Sequence, residues 1–119
     1  MYKFYFEKLE VWQNARTLVK DVYIITNKFP EEEKFGLTSQ IRRAVLNIAA
    51  NIAEGFSRKT DKDKARFITI SFSTSVEVIN FLILSFDLDF INEKEYIELR
   101  EKTEHITNQL NSLHRKLVA

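Results

Sequence analysis

The chain has no cysteine, one proline, two glycines and one tryptophan in 119 residues. Without cysteine there is no disulfide framework, thiol nucleophile or thiolate metal site, and a reducing, cytoplasmic setting is permitted. So little glycine and proline leaves an all-β fold without its tight turns and favours long uninterrupted helices. An excess of one charge is also missing. Lys and Arg number 18 against 17 Asp and Glu, a formal net charge of +1, so an anionic partner has to be met by a local concentration of positive charge. The opening MYKFYFEKLE lacks the basic start, apolar run and small-residue cleavage site of a secretory signal. The most apolar stretch, Phe67 to Ile91, is interrupted by Glu77, Asn80, Asp87 and Asp89, which a bilayer core tolerates poorly. A core helix, a cytoplasmic protein and no membrane partner are expected.

What is present is 45% hydrophobic and 29% charged residues, enough for one core and one domain over residues 1–119. Four helices are expected. In the first, from about Leu9 to Lys28, Val11, Ala15, Leu18, Val22, Ile25 and Phe29 recur at alternating steps of four and three, the period of one helix face. Pro30 and the acidic run Glu31, Glu32, Glu33 break that pattern and read as a solvated loop or a helix first turn. The second starts at Thr38 as N-cap and carries Ile41, Val45, Ile48, Ile52 and Phe56 on one face, with Gly55 near its end. The third runs from Asp61 or Lys62 to Phe90. The fourth follows Asn92, which stands three residues before Glu95 in capping-box spacing, and Tyr96, Leu99, Thr103, Ile106, Leu110, Leu113 and Leu117 continue it as a heptad seam. An all-α, up-and-down antiparallel four-helix bundle is the economical packing.

The third helix has apolar residues in nearly every direction, with a narrow polar stripe of Thr69, Ser73, Glu77, Asn80 and Asp87. A bundle helix ordinarily turns about three positions in seven inward, so the excess predicts self-association. A central position between its neighbours explains the same arc without association. On the second helix, Gln40, Arg43, Asn47, Asn51, Glu54 and Arg58 form a polar stripe. Asparagine is a poor mid-helix residue, so Asn47 and Asn51 among Ala49, Ala50 and Ala53 point to close approach by a subunit or partner; a plain solvated face fits them equally.

Catalytic and metal patterns are weak. His105 and His114 diverge around a helix, and neither follows a Glu at the spacing that builds di-metal sites in bundles. Two isolated glycines make neither a phosphate loop nor a nucleophile elbow. The hydroxyls from Ser71 to Ser75 suit a close helix crossing. Neither an enzyme nor a cofactor is expected. Glu77, flanked by apolar residues, needs a partner if buried, and Arg42 or Arg43 is the candidate; otherwise it is a glutamate on the polar stripe. The remaining feature is basic: Arg58, Lys59, Lys62, Lys64 and Arg66, interleaved with Asp61 and Asp63. Repeated around an oligomer, such a cluster becomes a ring of phosphate contacts.

Three blocks carry a resemblance over nearly the whole chain: LEVWQNARTLVKDVY, FPEEEKFGLTSQIRRAVLNIAANIAEG and FITISFSTSVEV, with LTSQIRRA and NIAEG the most specific. The chain resembles the bacterial four-helix bundle proteins encoded in intervening sequences of 23S ribosomal RNA genes, relatives of the accessory protein of diversity-generating retroelements. The family's Ser-Ile-Pro-Ala-Asn run is replaced here by Asn47-Ile48-Ala49-Ala50-Asn51, and its Gly-Ser pair in the third helix by Ser73-Thr74. The resemblance implies a ring-shaped homopentamer, RNA or DNA as partner and, in the retroelement branch, a reverse transcriptase; it implies no catalysis. The expected function is therefore a non-catalytic, oligomeric accessory factor that binds structured nucleic acid. Its phosphate-contacting candidates are Arg42, Arg43, Arg58, Lys59, Lys62, Lys64 and Arg66. The alternative is a protein-interaction scaffold, with Asn47, Asn51, Phe72 and Phe81 at subunit or partner contacts.

Overall fold

Capping and apolar periodicity divide the chain into four helices, and the computed structural model, which describes residues 1–119, places them at Glu10–Thr26 (α1), Leu37–Gly55 (α2), Asp61–Asp87 (α3) and Glu93–Val118 (α4). Two short 3-10 turns, Tyr5–Lys8 and Glu31–Glu33, precede α1 and α2. There is no strand. Each helix packs on its neighbours in sequence and α1 closes on α4, while the backbones of the diagonal pairs stay more than 8 Å apart, which is the up-and-down arrangement. The core is built from the predicted stripes of three helices, Val11, Ala15, Leu18 and Val22 of α1, Ile41, Val45, Ile48 and Ile52 of α2, and Leu99, Ile106 and Leu110 of α4, joined by Ile68, Val78 and Leu82 of α3.

Helix ends show where local chemistry overrides the simplest reading. Thr38 is not the N-cap of α2; it is a buried residue of the first turn, and the cap position belongs to Gly36. Glycine has no side chain to offer, and Glu33 supplies the missing acceptor, its carboxylate taking the Leu37 N–H at 3.0 Å. The acidic run is thus a turn that caps the next helix. At the far end of α3 the helix stops at Asp87 and not at Phe90. Asp89 adopts φ 62°, the Asp89 N–H donates to the Phe86 carbonyl at 3.0 Å, and the Phe90 N–H donates to the Ser85 carbonyl at 2.9 Å. This is a Schellman closure with aspartate in the left-handed position, a residue that tolerates it.

The predicted capping box at α4 is formed. The Glu95 N–H donates to Asn92 Oδ1 and the Asn92 N–H donates to Glu95 Oε1, both at 2.8 Å. Glu95 also accepts from Lys28, just beyond α1. The Lys28 ammonium holds the Glu95 carboxyl below its ordinary value; burial pushes the other way, and the Asn92 N–H adds to the lowering. One carboxylate therefore caps α4 and ties its start to the end of α1.

By length and hydropathy α3 alone could cross a bilayer, yet it packs between α2 and α4 as one helix of the bundle. Ser71, Ser75 and Ser85, all fully buried, let it sit close. Ser71 Oγ donates across to the Ile48 carbonyl of α2 at 3.1 Å, and Ser75 and Ser85 bond carbonyls of their own helix. Only part of the apolar arc is covered in this way: Phe67, Ile68, Val78 and Leu82 are buried, while Phe86 and Leu88 stay exposed with four others. Val76, Leu84, Ile70 and Ile83 keep 49%, 41%, 40% and 36% exposure beside the polar stripe. Phe72 and Phe81 are half-buried against the core. Glu77 is exposed and makes no ion pair, so a buried pair with Arg42 or Arg43 is not formed: the polar stripe of α3 leaves this carboxylate in water.

Candidate nucleic-acid interface

The α2–α3 connection is short because each helix carries its own stop and start. The Phe56 N–H closes α2 on the Ile52 carbonyl at 3.1 Å, the Arg58 N–H bonds the Gly55 carbonyl at 3.1 Å, and Thr60 Oγ1 caps α3 by accepting the Asp63 N–H at 3.1 Å. The basic residues therefore fall on a tight, hydrogen-bonded corner. Gly55 sets how close the two helices come there. A Cβ on Gly55 would stand 2.8 Å from the Phe67 Cβ and 3.5 Å from the Lys64 carbonyl. Since no glycine of the chain has positive φ, close approach and not backbone freedom is what glycine supplies at this position.

Phe67, pressed onto Gly55, organises the charge. Its ring lies 4.7 Å from the Arg58 guanidinium carbon and 4.9 Å from that of Arg66. Two like charges are held together on one aromatic ring, an arrangement worth about 0.5–1 kcal/mol for each guanidinium at exposed sites. Arg58 also bonds Glu54 at 3.1 Å. Lys64 is more covered and reaches Asp61 at 4.0 Å. Lys59 and Lys62 are exposed and unpaired, so the corner presents four cationic groups, Arg58, Lys59, Lys62 and Arg66, to solvent.

The structure does not bring the other two arginines to this corner. Arg42 lies about 20 Å back along α2, where its Nε donates to Thr26 Oγ1 at 2.8 Å, its Nη2 to Asn27 Oδ1 at 3.2 Å, and its guanidinium sits 4.6 Å from the Tyr23 ring. It holds α1 against α2. Arg43 next to it is exposed. Asn47 is exposed, and the half-buried Asn51 donates to the Asn47 carbonyl at 2.8 Å, satisfying itself on its own helix. His105 and His114 belong to no cluster that could hold a metal ion.

One group at this end is not evident from the sequence. Tyr5 packs its ring 5.6 Å from Phe56, the first residue of the corner, which brings the aromatic opening segment beside the basic cluster. A compositional signal exists: four aromatic residues and a lysine stand within the first six positions, but nothing in the sequence says where they fold back.

The chain matches no curated protein. In fold it is similar to a crystal structure of a protein of unknown function from the S23 ribosomal protein family of Bacteroides thetaiotaomicron, at 22% identity and a TM-score of 0.80, covering 88% of this chain and 95% of that one. The family model described as 23S rRNA-intervening sequence protein matches residues 7–112, a span that takes in all of α1, α2 and α3, the basic corner between the last two and most of α4. By that match and by the bundle it folds into, the chain belongs to the 23S rRNA-intervening sequence protein family.

Proposed function

We propose that this protein is a non-catalytic, self-associating bundle that binds structured nucleic acid through the α2–α3 corner. The observation that carries the reading is the pair of guanidiniums held on Phe67, with Lys59 and Lys62 unpaired beside them. Charges fixed in advance lose less side-chain entropy on meeting phosphate than free ones do. The buried hydroxyls of Ser71 and Ser75 are committed to backbone carbonyls, which supports a packing role for them. Arg58→Ala/Lys59→Ala/Lys62→Ala removes up to three cations from the phosphate backbone. Its affinity for structured RNA or duplex DNA is expected to fall about tenfold or more, and the slope of log K against log salt on duplex DNA to flatten by about 0.9 for each phosphate no longer neutralised. Titrations at two salt concentrations read both; an unchanged affinity and slope removes the corner from the interface.

The exposed Ile70, Val76, Ile83 and Leu84 of α3 support the assembly half of the proposal, and equally a scaffold reading in which assembly alone is the function. Native mass by light scattering is expected to exceed the 14.1 kDa of one chain and to fall toward it in Ile83→Glu/Leu84→Glu, where two carboxylates would have to be buried between subunits. A single-chain mass independent of concentration rejects assembly and with it any ring of shared phosphate sites.

A further inference from the structure

The opening segment is held in place and is not a loose tail. Phe4 donates its N–H to the Glu7 carboxylate at 2.8 Å and accepts the Glu7 N–H at 3.1 Å, Gln13 of α1 donates to the Glu7 carbonyl at 2.9 Å, and the Leu9 N–H closes the turn on the Phe6 carbonyl at 3.0 Å. On that frame the rings form a connected series. Tyr2 meets Phe4 edge-on at 5.2 Å, Phe4 stacks on Phe6 at 6.3 Å with planes 18° apart, and Phe6 meets Trp12 at 5.0 Å. Phe6 and Trp12 are partly covered by the bundle, whereas Tyr2, Phe4 and Tyr5 remain 79%, 60% and 61% exposed. Three large rings offered to water at and just before a hydrogen-bonded turn are not explained by core packing.

Their neighbours identify a partner chemistry. Tyr5 touches Phe56, and Arg58 and Lys59 follow within three residues; Lys3 and Lys8 are exposed in the aromatic segment itself. Glu7, the one acid of the aromatic segment, accepts the Phe4 N–H. Exposed aromatic faces beside exposed cations suit a ligand with alternating flat rings and negative charges. We propose that Tyr2, Phe4 and Tyr5 form a stacking platform for unpaired nucleobases, with the α2–α3 corner holding the adjoining phosphates. This rests on the nucleic-acid reading above and narrows it: the preferred part of a structured RNA or DNA is a single-stranded loop, bulge or end, because paired bases have no free face to give. Residues 1–6 precede the span that the family model matches.

The test uses the full chain and three labelled probes: a short single-stranded oligonucleotide, the same strand with abasic sites replacing its bases, and a duplex of equal length. The intact strand is expected to bind about tenfold more tightly than the abasic strand, as stacking of a single base already provides, and to change the emission of Trp12, the chain's one tryptophan. Tyr2→Ala/Phe4→Ala/Tyr5→Ala is expected to abolish that tenfold preference while leaving abasic and duplex binding and their salt slopes unchanged. Tyr2→Leu/Phe4→Leu spares the Tyr5–Phe56 contact and keeps apolar bulk in place of two of the three ring faces, and is expected to weaken the preference, which Tyr5 alone then carries; circular dichroism confirms that both variants fold. Equal binding of intact and abasic strands overturns the platform and leaves phosphate binding standing. No binding of any probe overturns both readings. Aromatic-dependent binding to anionic phosphatidylglycerol vesicles, with oligonucleotide affinity unaffected by either variant, overturns the platform in favour of a membrane surface.

Discussion

Ile48→Ala will lower the unfolding free energy by about 4 kcal/mol. Ile48 is fully buried at the centre of α2, and its carbonyl accepts the Ser71 hydroxyl from α3, so the wall around the cavity is tied in place and collapses little. Domains of this size are stable by only about 5–15 kcal/mol. The variant therefore sits near the threshold of folding at physiological temperature. Urea unfolding should show the midpoint falling sharply at an unchanged slope. Leu46→Ala, two residues away on the same helix with 46% exposure, should change stability by under about 1 kcal/mol. Similar destabilisation in both variants would mean that the α2–α3 seam is not where the core is.

Gly55→Ala gives a prediction whose sign is diagnostic. In a helix freed of neighbours, replacing glycine with alanine stabilises by about 1 kcal/mol. Here the new methyl would lie 2.8 Å from the Phe67 Cβ, an atom anchored directly to the α3 backbone, so the helices must separate at the corner. A destabilisation of about 1–3 kcal/mol is expected instead. The effect reaches the candidate interface, because Phe67 is the surface on which Arg58 and Arg66 rest. Nucleic-acid affinity should fall in Gly55→Ala even under conditions where the variant is fully folded. A stabilised Gly55→Ala would show that the corner has slack and that the two guanidiniums are not positioned by it.

Much of this architecture is legible in the sequence because helices are periodic. Val11 to Val22, Ile41 to Ile52 and Leu99 to Leu110 declare their buried faces by spacing alone, and a capping box such as Asn92 and Glu95 is a local device whose parts lie three residues apart. The excess apolar residues of α3 are the ones its neighbours leave uncovered, Ile70, Val76, Ile83 and Leu84 among them. Spacing misleads where a residue's partner is set by geometry that it does not encode. Thr38 looks like a cap but is buried, since Glu33 reaches Leu37 first. Glu77 looks like a candidate for a buried pair but faces water.

The candidate site divides along the same line. Arg58, Lys59, Lys62, Lys64 and Arg66 are close in sequence and stand out there as a cluster. Arg42 shares their chemistry, yet it is bound between α1 and α2 by Thr26, Asn27 and Tyr23. The aromatic residues that flank the cluster lie some fifty positions earlier in the chain and meet it only because the turn Tyr5–Lys8 packs on both α1 and α2.

By itself the sequence determined the helical class, the four-helix count and the buried stripes of α1, α2 and α4, which follow from short-range spacing and residue type, and it carried the family in the resemblance of whole sequence blocks. Only the tertiary structure decided which charges share a surface, that Gly55 is present for the approach of Phe67, and that an aromatic segment stands beside the basic corner. Those facts depend on residues distant in the chain meeting one another, and they meet only once the helices have packed.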